Sequence, residues 1–234
     1  MIVAALQAEA RSGELAHNVA TAARLVRQAA ARVAVLPEAF LTGYDAAAFA
    51  APPTLAALSG PVLDPLRAAA ADAGTTVVAS TALAREGGRR TLSLVVVEPD
   101  GTTTAPYDKQ HLDGDEPDWF VAGDHPATLT VDGRVLGLSI CRDGSIPSHA
   151  AAAAAAGATV YLASVAYFPG GARRLDVTYA ARARDHGLHV VVAGLTGRCG
   201  PHTFIGGSAV YAPDSTAIVR LGDEEGAALA EIRG

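Results

Sequence analysis

The chain has 234 residues, of which 50% are hydrophobic and 18% are charged, and its formal net charge is −6. This balance is typical of a globular protein rather than a disordered one, and the length is sufficient to bury a substantial core. The negative charge argues against a nucleic-acid partner, because nucleic-acid binding needs a basic face.

Strands and helices alternate along the first half of the chain. Apolar residues recur at helical spacing over residues 14–31, which predicts an amphipathic helix there. The predicted elements are, in order, a strand at 2–8, a helix at 14–31, a short strand ending at Pro37, a helix at 60–74, and strands in TTVVAST and TLSLVVVEPDG.

The second half repeats this alternation after a long irregular stretch at 107–126, and loops of that length are often functional. The predicted elements are, in order, a strand in VLGLSIC, a helix in SHAAAAAAAG, a strand in ATVYLAS, a helix at about 173–187, a strand in LHVVVAGL and short closing strands. No linker or exact repeat separates the halves. We therefore expect one domain of the α/β class over residues 1–234.

The N-terminus MIVAALQAEARSG has no basic region, and its apolar run is too short for a signal peptide or a membrane span. We therefore expect a cytoplasmic protein with no membrane partner. Cys141 and Cys199 are then expected to be thiols. Because they lack the CxxC or paired-histidine spacing of a zinc site, we expect no metal site. We also expect no other cofactor.

Three short segments contain residues suited to catalysis: LPEAFLTGY with Glu38, YDKQHL with Lys109, and SICRDG with Cys141. Glu38 and Cys141 follow predicted strands, and crevices beyond the carboxyl ends of strands are where α/β sheets bind ligands. Each residue taken alone also has a structural explanation, as a helix cap, a solvated lysine or a small core residue.

Together the three residues supply what thiol chemistry requires. A cysteine attacks as the thiolate, and its usual pKa of about 8.5 leaves little of it ionised at neutral pH. A carboxylate can take the thiol proton and later return it to a leaving amine. A lysine ammonium and a backbone N–H can hold the oxyanion of a tetrahedral intermediate. Attack on an amide or nitrile carbon needs all of these functions.

In this order, the three segments resemble the nitrilase superfamily of carbon–nitrogen hydrolases, and the resemblance covers nearly the whole chain. Three later segments agree with it, namely GATVYLAS, AARARDHGLHVVVAG and GGSAVYAPD. The resemblance implies an α-β-β-α sandwich that commonly pairs with a second subunit. We therefore expect a homodimer or a higher homo-oligomer.

The resemblance also implies a role for each site residue. Glu38 would be the general base, Lys109 the transition-state stabiliser and Cys141 the nucleophile, and the backbone N–H of Arg142 would complete the oxyanion hole. Many members carry a second glutamate in the loop after the lysine. Glu116 is the best match for it, with Asp113 and Asp115 as nearby rivals.

The sequence departs from the family pattern after the cysteine. Arg142 and Ser148 stand where many members have an aromatic residue and a glutamate, and RARDH at 182–186 replaces the usual arginine–alanine–x–glutamate–asparagine. Arg142 could bind a substrate carboxylate or form a structural ion pair with Asp143 or Asp185. We favour the structural ion pair, because a buried arginine needs an acidic partner whether or not a substrate is bound.

Other side chains compete for roles near the nucleophile. Three histidines could act as bases in a Cys–His dyad, but the glutamate mechanism is favoured because Glu38 matches a motif. Three aromatic residues are expected to wall the pocket rather than take part in chemistry. The histidines are His111, His149 and His202, and the aromatic residues are Trp119, Phe120 and Tyr167.

These patterns favour an amidase-like hydrolase that cleaves a small amide through a Cys141 thioester, releasing ammonia or an amine and a carboxylic acid. One alternative is an N-carbamoyl-amino-acid or ureide hydrolase, in which Arg142 would bind the carboxylate; another is a nitrilase. From other classes, the chain could be a catalytically silent binding partner or a redox sensor that pairs Cys141 with Cys199.

Overall fold

A computed structural model describes residues 1–233, which form two six-stranded sheets and a two-stranded hairpin. The strands are β1 (Ile2–Gln7), β2 (Val33–Val35), β3 (Thr76–Ala84), β4 (Arg90–Val97), β5 (Thr103–Asp108), β6 (Thr128–Val131), β7 (Arg134–Ile140), β8 (Val160–Val165), β9 (His189–Gly194), β10 (Thr196–Cys199), β11 (His202–Ile205), β12 (Ala209–Tyr211), β13 (Ala217–Arg220) and β14 (Gly226–Glu231). The helices are α1 (Leu15–Ala29), α2 (Ala46–Ala50), α3 (Leu55–Leu58), α4 (Asp64–Ala73), α5 (Arg142–Ser145), α6 (Pro147–Ala155) and α7 (Ala172–His186).

Each sheet is built around three parallel strands with antiparallel strands at its edges. The first sheet has the order β14-β1-β2-β3-β4-β5, with β1, β2 and β3 parallel. The second has the order β13-β12-β9-β8-β7-β6, with β7, β8 and β9 parallel. Because parallel strands need crossover connections, these two parallel sets correspond to the two rounds of alternating strands and helices in the sequence.

The two sheets pack face to face through alternate residues of their strands. Along β2, Val33 and Val35 point into the cluster between the sheets, whereas Ala34 points to the opposite face. From the second sheet, Leu138 and Leu162 enter the same inner cluster. This alternation follows from the two-residue period of a strand.

Helices cover both outer faces. Val19 of α1 and Leu66 of α4 pack against the outer face of the first sheet. Ala153 of α6 and Tyr179 of α7 pack with Val190 against the outer face of the second sheet. The layers are therefore helix, sheet, sheet and helix, which confirms the α-β-β-α sandwich expected from the sequence.

The predicted helices are present with adjusted ends. The helix predicted at 14–31 is α1, and it ends where Ala30 takes a left-handed φ of 45°. The segment predicted as one helix at 60–74 is a 3₁₀ turn at Pro61–Leu63 followed by α4, which carries proline in its first turn and ends at Gly74. No helix within residues 1–233 is long and apolar enough to cross a lipid bilayer.

The structure differs from the sequence-based elements in several places. The irregular stretch predicted from residue 107 begins later, because Tyr107 and Asp108 complete β5, whose Pro106 and poor alternation obscured it. The short helix α2 was not predicted; Asp45 caps it by accepting a hydrogen bond from the Ala48 N–H. The helices α3 and α5, the strand β6 and the hairpin of β10 and β11 were also not predicted.

Candidate active site

Glu38 lies just beyond the end of β2, in a turn that begins at Pro37. Its N–H donates to the carbonyl of Val165 on the second sheet at 3.4 Å. The next residue, Ala39, has a left-handed φ of 49° and donates its N–H to Ser80 Oγ at 3.0 Å. The turn is thus fixed to both sheets, and the Glu38 side chain is buried between them.

Lys109 follows β5 and points into the same interior. Its backbone N–H donates to the Leu92 carbonyl at 2.7 Å, and its carbonyl accepts from Gly123 at 2.8 Å. Its Nζ lies 2.7 Å from Glu38 Oε1 and 2.7 Å from Glu116 Oε1. The ammonium is therefore held between two carboxylates, with one N–H left to donate.

Cys141 follows β7 at the point where the chain turns into α5. Its N–H donates to the Ser164 carbonyl at 2.9 Å, which ties the turn to β8. Its backbone has φ 42° and ψ −94°, a conformation that a non-glycine residue rarely adopts. The Cys141 side chain lines a cavity of about 320 Å³.

Glu116 is the carboxylate that faces Lys109 in the loop after β5. Besides the lysine, its Oε1 accepts from Tyr44 Oη at 2.7 Å, and its Oε2 accepts from the Asp113 N–H at 2.8 Å. Asp113 and Asp115 line the same cavity as Glu116, but the carboxylates paired with Lys109 are those of Glu38 and Glu116. Tyr44 was present in the quoted segment LPEAFLTGY, but it was not identified as a site residue.

Burial sets the protonation of this cluster. It raises the pKa of Glu38 to about 7, with the charge of Glu116 acting in the same direction and Lys109 opposing it. Burial also raises the pKa of the Cys141 thiol, and the Glu38 charge adds to this. Burial disfavours the Lys109 ammonium, but the nearby negative groups outweigh it and raise the lysine pKa above its usual range. At neutral pH, Glu38 can therefore both accept and return a proton.

The expected pairing of Arg142 with Asp143 or Asp185 is wrong. The half-exposed Arg142 side chain extends outward, and its Nη1 lies 3.7 Å from Asp113 Oδ1. Asp143 points inward, where Oδ2 accepts from Tyr107 Oη at 2.6 Å. Because neighbouring residues of a short helix point in different directions, adjacency in sequence did not bring Arg142 and Asp143 together.

The histidines considered as rival bases have other partners. His111 Nδ1 lies 2.9 Å from Asp143 Oδ1. His149 lies between the hydroxyls of Tyr107 and Tyr161, each 2.8 Å away, and its burial lowers its pKa. His202 lines the cavity and packs against an aromatic ring. The Cys141 thiol donates a hydrogen bond to the Ala166 carbonyl at 3.9 Å and not to a histidine.

Aromatic rings form much of the cavity wall. Of the three aromatic residues expected there, Trp119 lines the cavity, whereas Phe120 and Tyr167 are buried outside its lining. The other aromatic lining residues were not identified from sequence; they are Tyr44, Phe49 and Phe168.

One arginine lines the cavity, and it is Arg174 at the start of α7 rather than Arg142. Its guanidinium carbon lies 5.1 Å from the centre of the Tyr167 ring. Within residues 1–233 it makes no ion pair shorter than 4.0 Å. The sequence did not identify Arg174 as a site residue. The segment GGARR has two adjacent arginines, and no motif distinguishes the one that faces the cavity.

Solved structures with the same fold include an amidase from Nesterenkonia sp. AN1, described as a member of the nitrilase superfamily. A mutant of it matches with a TM-score of 0.87 and 26% identity, covering 100% of this chain and 92% of that one. In another mutant, with the same score and identity and coverage of 100% and 93%, acrylamide has added to the active-site cysteine. A third, with a TM-score of 0.86, 26% identity and coverage of 99% and 90%, is in complex with butyramide.

Sequence relatives are named as hydrolases. The chain is 31% identical over 228 residues to the hydrolase in the pqqF 5′ region of Pseudomonas protegens, which covers 96% of this chain and 80% of that protein. It is 29% identical over 194 residues to a hydrolase of Mycobacterium tuberculosis, covering 75% of this chain and 69% of that protein. The carbon–nitrogen hydrolase family model matches residues 2–233. The chain therefore belongs to the carbon–nitrogen hydrolase family, which confirms its resemblance to the nitrilase superfamily.

Proposed function

We propose that this protein hydrolyses a small linear amide through a thioester on Cys141. Glu38 is the general base and acid, Lys109 and the Arg142 N–H bind the oxyanion, and Glu116 holds Lys109 in place. The products are ammonia or an amine and a carboxylic acid.

The arrangement of Glu38 carries this proposal. One carboxylate oxygen, Oε1, is bound to Lys109, whereas Oε2 is buried and has no hydrogen-bond partner among the described residues. Leaving a buried carboxylate oxygen unpaired is costly, and a catalytic role is one reason for a protein to retain such an oxygen. Glu38 is also close enough to Cys141 for its charge to raise the thiol pKa. Oε2 is thus free to exchange a proton at the nucleophile.

The reaction follows in two stages. Cys141 Sγ attacks the amide carbon while Glu38 takes the thiol proton, and the negative charge that forms on the oxygen is held by the free N–H of Lys109 and by the Arg142 N–H. Glu38 gives its proton to the departing nitrogen, the C–N bond breaks and a thioester remains. Glu38 then removes a proton from water, which attacks the thioester; the C–S bond breaks, the acid leaves, and Glu38 returns the proton to the Cys141 sulfur.

Mass spectrometry tests the nucleophile directly. Incubation with p-nitrophenyl butyrate should add one butyryl group to the wild-type protein and none to Cys141→Ala, whereas the matched control Cys199→Ala should be acylated at the wild-type rate. Acylation of Cys141→Ala at that rate would overturn the assignment. Absence of both an adduct and p-nitrophenol release from the wild-type protein would favour a catalytically silent binding partner.

Ammonia release from a substrate panel tests the class of bond cleaved. Propionamide and butyramide should release ammonia faster than the corresponding nitriles. Amides are favoured because residues 141–143 read CRD, unlike the usual continuation in nitrilases, and because the similar Nesterenkonia structures are of an amidase. Faster turnover of the nitriles would reverse this choice.

A second candidate substrate is an amide that also carries a carboxylate, as N-carbamoyl amino acids do. The sequence assigned the carboxylate to Arg142, but Arg174 is the arginine that lines the cavity beside Cys141. A guanidinium binds a carboxylate through two parallel hydrogen bonds.

Arg174→Met tests this candidate, with the neighbouring Arg173→Met as a matched control because Arg173 does not line the cavity. If the substrate carries a carboxylate, Arg174→Met should raise KM for succinamate or an N-carbamoyl amino acid and leave KM for butyramide unchanged. Equal effects of the two variants would rule out this role for Arg174.

A further inference from the structure

Tyr179 of α7 touches the backbone of the proposed nucleophile. Its hydroxyl donates a hydrogen bond to the Cys141 carbonyl oxygen at 2.9 Å, and the Gly144 N–H donates to the same oxygen at 3.0 Å. The Tyr179 side chain is fully buried. This carbonyl is therefore held by two donors from two different helices.

The Cys141 carbonyl and the Arg142 N–H are the two ends of one planar peptide unit. Fixing the oxygen at one end fixes the direction in which the N–H points at the other. A hydrogen bond accepted by the oxygen also polarises the amide and strengthens its N–H as a donor. In the proposed function, that N–H helps to bind the oxyanion.

The peptide needs support because the backbone around it is strained. Cys141 has φ 42° and ψ −94°, which only surrounding contacts can maintain in a non-glycine residue. Helix α7 makes a second hydrogen bond to this turn, in which Arg182 Nε donates to the Gly144 carbonyl at 3.1 Å.

Close packing keeps Tyr179 in this position. A Cβ atom added at Gly144 would lie 2.5 Å from Tyr179 Cε1, so the ring rests directly against the glycine backbone. Burial raises the pKa of Tyr179 well above its usual value, so the hydroxyl keeps its proton and remains a donor.

We infer that Tyr179 is a positioning residue that orients and polarises the oxyanion-binding peptide between Cys141 and Arg142. The inference rests on the proposed function, in which this peptide binds the oxyanion. It assigns to α7 a part in catalysis although Tyr179 does not touch the reacting atoms.

Two reactions of Cys141 separate this role from a purely structural one. Acylation by p-nitrophenyl butyrate passes through a tetrahedral oxyanion. Alkylation by iodoacetamide forms the S–C bond as iodide leaves, with loss of the thiol proton, and no oxyanion develops. Tyr179→Phe keeps the ring and removes the hydroxyl. It should slow acylation by roughly tenfold or more, as expected for a weakened oxyanion site, and leave the alkylation rate within about twofold of wild type.

Tyr211→Phe is the matched control. It also removes a tyrosine hydroxyl, but this hydroxyl contacts Arg220 of β13 and Asp176 of α7 and not the Cys141 turn. It should change neither rate. Equal slowing of acylation and alkylation by Tyr179→Phe would show that the hydroxyl only maintains the turn, and unchanged rates would show that it has no role; either result overturns the inference.

Gly144→Ala gives a second approach, since the added Cβ would displace the Tyr179 ring. It should show the same selective loss of acylation, and it answers the question if Tyr179→Phe does not fold. Failure of the wild-type protein to be acylated at Cys141 would instead overturn the proposed function, so the two failures are distinguishable.

Discussion

Lys109 Nζ lies 2.7 Å from Glu38 Oε1, and the two side chains are 0% and 1% exposed. Glu116 contributes a second carboxylate oxygen at the same distance from the ammonium. Burying three charged groups costs a large desolvation energy, which is recovered only when each is paired and hydrogen-bonded. The lysine is paired twice, so the cost falls mainly on Glu38, whose second oxygen has no partner among residues 1–233.

Replacement of Glu38 by glutamine should remove turnover and preserve the fold. The amide keeps the shape of the side chain and an oxygen for Lys109, but it cannot take the thiol proton. The rate of ammonia release from butyramide should fall on the order of 10²- to 10⁴-fold, the usual contribution of a general base. Circular dichroism provides the check on folding, and a folded variant with wild-type turnover would exclude the base role.

The rate of acylation should rise with pH through about 7. Below the raised pKa of Glu38, which is about 7, its carboxyl is protonated and cannot accept the thiol proton. Because Glu116 raises this pKa, Glu116→Gln should move the midpoint of the residual activity to lower pH. The profile reports the coupled site as a whole, and it is measured as kcat/KM between pH 5 and pH 9. A midpoint that Glu116→Gln leaves unchanged would contradict this electrostatic account.

Strand and helix patterning predicted an α/β chain, and the resemblance to the nitrilase superfamily implied the layered fold and the residues that come together at the site. Local apolar periodicity predicted the alternating elements, and the three motifs named Glu38, Lys109 and Cys141. Glu38 and Lys109 follow β2 and β5 of the first sheet and Cys141 follows β7 of the second, so the packing of the two sheets brings residues distant in sequence together.

Side-chain pairing between distant segments could not be predicted in the same way. Arg142 pairs with Asp113 because the loop after β5 crosses in front of α5, and no local pattern in the sequence encodes that crossing. Similarly, Tyr179 reaches the Cys141 carbonyl only because α7 packs across the turn. Arg174 lines the cavity and Arg173 does not, which depends on the rotation of α7 rather than on residue type.

Lys109 should remain protonated at unusually high pH. It is the only lysine of the chain, so isotopic labelling of lysine should give one side-chain signal in an NMR titration. Its pKa is raised by Glu38 and Glu116 against the effect of burial, and the chemical shift should therefore stay that of an ammonium beyond the pH at which a free lysine titrates. In Glu38→Gln the signal should titrate at lower pH. An unperturbed titration in the wild-type protein would contradict the buried pairing.

Asp143 should be important for stability rather than for chemistry. Its two oxygens accept hydrogen bonds from Tyr107 Oη, the Ile140 N–H and the His111 N–H, at 2.6 to 3.0 Å. Asp143→Ala would leave the Ile140 and His111 N–H groups unpaired, at about 1–3 kcal/mol each, while the Tyr107 hydroxyl would keep His149 as a partner. We expect the free energy of unfolding in urea to fall by at least about 2 kcal/mol, and by less in Asp143→Asn. Asp118→Ala, at an exposed position, is the control that should change little.

The two cysteines should differ sharply in reactivity. Cys141 lines the cavity, whereas Cys199 is 1% exposed and its sulfur accepts a hydrogen bond from the Tyr44 N–H at 3.2 Å. Burial raises the pKa of both thiols, so access to the reagent, and not the thiolate fraction, separates them. Iodoacetamide should therefore alkylate the native protein once, at Cys141, and Cys141→Ala should react only after unfolding.

The same difference decides whether the two thiols can act as a redox pair. A disulfide needs Cα atoms within about 7 Å and thiols that can meet, whereas Cys199 belongs to the core beneath α1 and Cys141 packs against the two other buried clusters. Mild peroxide should accordingly oxidise Cys141 without linking it to Cys199, as judged by the intact mass and by peptide mapping under non-reducing conditions. An intramolecular Cys141–Cys199 disulfide in the folded protein would revive the redox-sensor alternative, and its loss in Cys199→Ala would verify the pairing.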